Sequence, residues 1–266
     1  MNVYFREMKK NSISFSIWLI IMILVNAFML ASFNSVAEMA KNTEAMLSQY
    51  PEEFIKAMNL DILSMTNILH FYASRSFLMV TIFGSVYAIM LSSCIVSKEE
   101  NEGTIEFLIS KPIKRKSIIS SKLLSVVSYV TLFNLLFSIS NFILLNIFKT
   151  SDFSFESFLY ISLGAWLIHM IFAFIGLAIS TIISKTKTDI SLSLGLVFIA
   201  YFISILASVK SDLSFLKYFS PFSYFNTKDL VINTTIGPSY LIISFVLITL
   251  AIIVSYVYYQ KKDIAV

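Results

Sequence analysis

Six stretches of this chain are long, apolar and free of charge, and they decide what it can fold into. They run over residues 13–33, 77–96, 123–148, 158–183, 190–209 and 239–259, and none contains Asp, Glu, Lys or Arg. About 20 apolar residues in a helix cross the roughly 30 Å hydrocarbon layer of a bilayer. Backbone groups in lipid must be paired within the segment, so each stretch reads as a membrane-spanning helix. The fold class expected is all-α: a polytopic integral membrane protein with six transmembrane helices, forming one domain over residues 1–266. Composition agrees. The chain is 57% hydrophobic and only 14% charged, whereas a soluble domain carries about 25% charged residues. That balance excludes a disordered chain, a disulfide scaffold and an ordinary soluble enzyme. A single cysteine, Cys94, allows no internal disulfide.

Charge in the connecting segments predicts orientation. The first apolar stretch is too long for a cleavable leader and lacks a small-residue cleavage site, so it reads as a signal anchor. With the N-terminus inside, the inner segments hold 13 of the 20 basic and 7 of the 16 acidic residues, net +6; the outer segments hold 7 and 9, net −2. Both termini are therefore expected in the cytoplasm. The net charge of +4 is assigned to these loops and not to nucleic-acid binding. Heavy use of Ile, Asn, Lys and Phe suits an AT-rich bacterial genome, and a bacterial cytoplasmic membrane is the expected location. In the long outer segment 34–76, Pro51, Glu52 and Glu53 mark a helix start. The outer segment 210–238 is rich in aromatic and aliphatic residues. It reads either as short helices dipping into the outer leaflet or as a loop packed on the helix tops.

Several chemistries are missing. None of the six glycines is followed by lysine, so no phosphate-cradling G-x-x-x-x-G-K-[ST] loop is present. The two histidines, His70 and His169, form no H-E-x-x-H pattern, and no G-x-S-x-G elbow occurs. No catalytic residue and no metal site is expected. Only His169 is titratable near mid-membrane. It reads as a proton relay or as a neutral imidazole hydrogen-bonded to a neighbouring helix; without a carboxylate at depth, gradient coupling lacks a mechanism. The third span is the most polar, with Thr131, Asn134, Ser138 and Asn141 recurring at helical spacing on one face. That face reads as helix–helix hydrogen bonding or as the lining of a translocation path. Gly84/Ala88 and Gly176/Ser180, each four apart, permit close helix packing.

The inner segment 97–122 is the most informative. Glu99, Glu100, Glu102 and Glu106 give it a polar face, Ile105, Leu108 and Ile109 lie at helical spacing, and Lys111-Pro112 breaks the helix. It is either an amphipathic helix on the membrane surface or a docking helix for a cytoplasmic partner. The segment resembles the permease subunits of ABC-2-type exporters in its acidic pair (Glu99, Glu100), Gly103-Thr104, apolar pair (Phe107, Leu108), Pro112, Arg115 and Lys122. Phe219-Ser-Pro-Phe-Ser-Tyr-Phe and the C-terminal Lys262-Asp-Ile are similar to further family segments.

The resemblance implies a transmembrane permease subunit of an ATP-binding-cassette exporter, itself without catalysis or cofactor. ATP and Mg would be bound by a separate ATPase subunit. A second permease copy or sister permease and the membrane lipids would complete the assembly. Residues Glu99, Glu100, Glu102, Gly103, Thr104, Glu106, Phe107, Leu108, Pro112 and Arg115 would form the ATPase-docking segment. Within it, Glu99, Glu102 and Glu106 are expected to present charge while Phe107 and Leu108 enter a groove. The alternatives are an immunity or sensor protein of the same fold acting against membrane-active peptides, and a secondary transporter.

Overall fold

A computed structural model describes residues 3–38, 67–103, 113–183, 186–209, 211–225, 227–231 and 234–262. Among them there is no strand, and six helices are long and apolar enough to cross a membrane. The chain runs through α1 (Val3–Ala31), α2 (Ile68–Ser93, with a π-helical turn at Tyr72–Ser76), a short α3 (Ser97–Asn101), α4 (Arg115–Phe148), α5 (Phe155–Ile182) and α6 (Thr186–Val209). Two 3₁₀ turns (Ser211–Phe219 and Pro221–Ser223), a short α7 (Thr227–Val231) and α8 (Pro238–Lys261) follow. The expected helix start near Pro51 lies outside the described residues.

Three spans begin earlier than the apolar runs suggest. α1 starts at Val3 where the apolar run starts at 13, α2 at Ile68 against 77, and α4 at Arg115 against 123. Hydrophobicity marks only the part of a helix inside hydrocarbon; hydrogen bonding carries it on into the polar zone. Local caps fix several starts. The Asn67 side chain accepts from the Leu69 and His70 amides (2.9 and 3.4 Å), Ser154 accepts from the Ser157 amide (3.2 Å), and Pro238 opens α8.

The bundle is organised around α5, the most buried span, which packs chiefly on α2 and α8 and also on α4. α1 lies along α4, and α6 lies against α2 and the first 3₁₀ turn. α6 and α8 present Phe198, Ile199, Phe202, Ile242 and Phe245 outward, as lipid contact allows.

Close approach of α2 and α5 depends on two glycines. A Cβ on Gly84 would stand 2.2 Å from the His169 ring, and one on Gly176 would stand 2.2 Å from Ser92 Oγ and 2.8 Å from the Ile89 carbonyl oxygen. Each helix thus gives up a side chain to admit its neighbour. The small-residue pairs of the sequence mark this seam.

The segment after α6 folds back onto the bundle. Ser220 Oγ donates to the Ala200 carbonyl (2.6 Å), and the Phe222 ring lies 5.1 Å from Phe172. Ala200 is nine residues inside the end of α6, roughly 13 Å along its axis. The chain therefore re-enters the bundle and turns back. Its backbone is tolerated there because Ser220, Pro221, Tyr224 and Phe225 are buried in protein. Phe215, Tyr218 and Phe219 stay exposed.

Candidate functional site at the charged end

The start of α1 and the end of α8 both pack on the first turns of α4, at one end of the bundle. At that end α1, α3 and α4 converge on a cluster of charges. Lys122 is fully buried, with Nζ 2.9 Å from Glu99 Oε2 and 3.3 Å from Glu7 Oε1, and it also donates to the Ile95 carbonyl. Arg6 closes the other side of Glu99. Lys10 reaches Glu102 at 2.7 Å on the exposed rim. The chain therefore buries one ammonium between two carboxylates drawn from positions 7 and 99, where low dielectric strengthens attraction and punishes any unpaired member.

Backbone contacts tie the same region to the core. Ser180 Oγ, on α5, accepts from the Val96 and Ser97 amides (3.0 and 3.2 Å) at the start of α3. Gly103, with φ +65°, ends the stretch in the left-handed conformation that favours glycine. Tyr129 donates to the Met8 carbonyl, and Tyr4 donates to Ser128 Oγ (3.1 Å), so the start of α1 is fastened to α4. Arg115 Nη1 donates to the Lys262 and Gln260 carbonyls (2.8 and 3.2 Å), a cation at the C-terminal end of α8. Asp189, in the first turn of α6, is a further fully buried acidic residue.

The sequence-derived docking residues fall into three groups. Glu102 and Gly103 are exposed. Glu99 faces inward, 3% exposed, and half-buried Arg115 bonds the end of α8 through Nη1. The Glu100 side chain and Thr104, Glu106, Phe107, Leu108 and Pro112 lie outside the described residues. The importance of Glu7 and Arg6 was not visible in the sequence reading. A signal existed: charges at positions 6, 7 and 10 share one helical face continuous with the first span.

The polar face of α4 is divided among its neighbours. Asn26 Nδ2 donates to Asn141 Oδ1 (2.9 Å), joining α1 to α4. His169 Nδ1 lies 2.9 Å from Asn134 Oδ1, and Asn134 Nδ2 donates to the Val130 carbonyl, so the ring nitrogen is the donor. Trp166 Nε1 donates to Thr131 Oγ1 (3.2 Å). Ser138 is half-buried. A groove of about 510 Å³ near the opposite end runs between α2 and α6, with hydroxyls from Ser74, Thr81, Ser204 and Ser208. None of the four α4 residues lines it.

Six apolar spans, an all-helical fold and buried charge at one end define a polytopic membrane protein. A family model described as ABC-2 family transporter protein matches residues 1–264, and the chain belongs to that family. No curated protein matches it.

Proposed function

We propose that this chain is the transmembrane permease subunit of an ATP-binding-cassette exporter, driven by ATP hydrolysis on a separate ATPase chain. The family match over residues 1–264 carries the reading. The missing P-loop and the absence of acidic or basic residues from the six apolar runs support energy supplied from outside the chain. The buried ion cluster supports it further: α1, α3 and the start of α4 are locked together, so a force applied near α3 moves three elements at once.

The basic excess of the inner segments supports a cytoplasmic location for the charged end. A second permease copy or sister permease would face the exposed side of α6, with the hydroxyl-lined groove between α2 and α6 contributing to the path. The test is co-purification of the tagged chain from its native membrane. A P-loop ATPase should accompany it, and the isolated chain should hydrolyse no ATP. ATP turnover that stays with this polypeptide after every other chain is removed would overturn the reading.

A further inference from the structure

Along their outer halves α1 and α2 are in contact, but toward the charged end they separate. α1 leans on α4 and α2 leans on α5, and a cleft of about 240 Å³ opens between them. Its walls change character along their length. On α1 the lining passes from Lys10 through Asn11 and Ser14 to Trp18. On α2 and α3 it passes from Lys98 to Met90 and Tyr87, and the cleft closes where the Trp18 and Tyr87 rings stand 6.0 Å apart. From Lys10 to Trp18 is eight residues, roughly 12 Å of helix. One leaflet contributes roughly 15 Å of hydrocarbon.

The polarity of the mouth selects the ligand. Lys10 and Lys98 line it beside the carboxylates of Glu7 and Glu99, with Arg6, Lys122 and Glu102 next to them. Each carboxylate already has a cation: Glu7 and Glu99 have Lys122, and Glu102 has Lys10. Among the described residues Lys98 has no carboxylate within ion-pair distance, so its ammonium is the cation at the mouth left to meet a ligand. The cleft thus carries the Lys98 ammonium at the charged end, the Ser14 hydroxyl below it and aromatic rings at depth.

We propose that this cleft binds an anionic phospholipid of the leaflet that meets the charged end, with its phosphate at Lys98 and Lys10 and one acyl chain reaching Trp18. This does not depend on the exporter reading or on an ATPase partner.

The test uses the full chain in detergent with Trp166→Phe, which leaves Trp18 as the one indole of two in the sequence. Phosphatidylglycerol with brominated acyl chains is titrated in and Trp18 fluorescence is followed. Saturable quenching is expected. Lys98→Gln should raise the half-quenching lipid concentration about fivefold, the value of one basic side chain near a phosphate surface. Ser14→Phe, which fills the cleft, should remove the saturable phase while the protein stays monodisperse; if that variant aggregates, Lys98→Gln decides alone. Quenching that is non-saturable and equal in Lys98→Gln and its parent means lipid surrounding the bundle only, and overturns the proposal. Reversal of the quenching by millimolar inorganic phosphate means a site for the free anion, and overturns it equally.

Discussion

The imidazole of His169 occupies the space that a side chain on Gly84 would need, 2.2 Å from the position of its Cβ. The ring is held there by Asn134 and cannot withdraw without breaking that contact. Gly84→Ala should therefore cost about 1–3 kcal/mol by overpacking, read as a lower thermal midpoint in detergent. His169→Ala should relieve much of that cost. A double variant whose loss equals the sum of the two single losses would show that the ring and the glycine are not coupled.

Lys122 is the hinge of the charged end, since Glu7 and Glu99 both depend on it. Lys122→Met leaves two buried carboxylates without their ammonium and should cost about 3–5 kcal/mol. The triple variant Glu7→Gln, Glu99→Gln, Lys122→Met removes all three charges and should be closer to wild type than Lys122→Met alone. Thermal midpoints of the two purified variants decide this. A triple variant less stable than the single one would contradict a charge-pairing origin.

The spans were legible because each apolar run must lie in lipid, and lipid leaves a helix as the only form. Helix starts were not, because residues 3–12 of α1 continue the hydrogen-bonded spiral in polar surroundings that hydropathy cannot distinguish from a loop. The inward turn of Glu99 was hidden for a different reason. Its spacing with Glu102 and Glu106 suggested a single outward face, yet its direction is set by Lys122 and by Arg6, 93 residues away. Such pairing leaves no local period. The family resemblance did include Lys122, at the entrance of the third span, without revealing what it pairs with. On α4 the helical spacing was right, and only the structure separates Asn141, turned to α1, from Asn134, turned to α5.

That division predicts the behaviour of the α4 asparagines. Asn26→Ala and Asn141→Ala each remove the same hydrogen bond, worth about 0.6 kcal/mol for a contact between membrane helices. Their effects on the thermal midpoint should be small, similar and non-additive. Fully additive losses would mean that the two side chains have separate partners.

Acidification should weaken the rim pair of Lys10 and Glu102. The hydrogen bond from Lys10 holds the Glu102 carboxyl below the usual carboxylate range. A carboxyl lowered in the folded state stabilises the fold above its unfolded value, and this stabilisation is lost as pH falls through the lowered value. The difference in midpoint between wild type and Glu102→Gln should therefore be constant from pH 8 to about 5 and shrink below about pH 4. It should stay small throughout, because an exposed pair contributes about 1 kcal/mol at most. A difference that grows on acidification would reverse the assigned sign.

Glu99 and Glu102 lie three residues apart, one buried and one exposed, and this separates their expected effects on the proposed ATPase contact. Glu102 is on the surface, so Glu102→Lys should change the ATPase recovered with the permease while leaving the thermal midpoint within about 0.5 kcal/mol of wild type. Glu99 is enclosed by Lys122 and Arg6, so Glu99→Gln should lower the midpoint first. Any loss of ATPase in that variant should follow the loss of folded protein. The two readouts are a pull-down ratio and a melting curve on the same preparation. Equal ATPase loss for both variants at unchanged midpoint would mean that Glu99 contacts the partner directly, and that the inward geometry is not the one present in the complex.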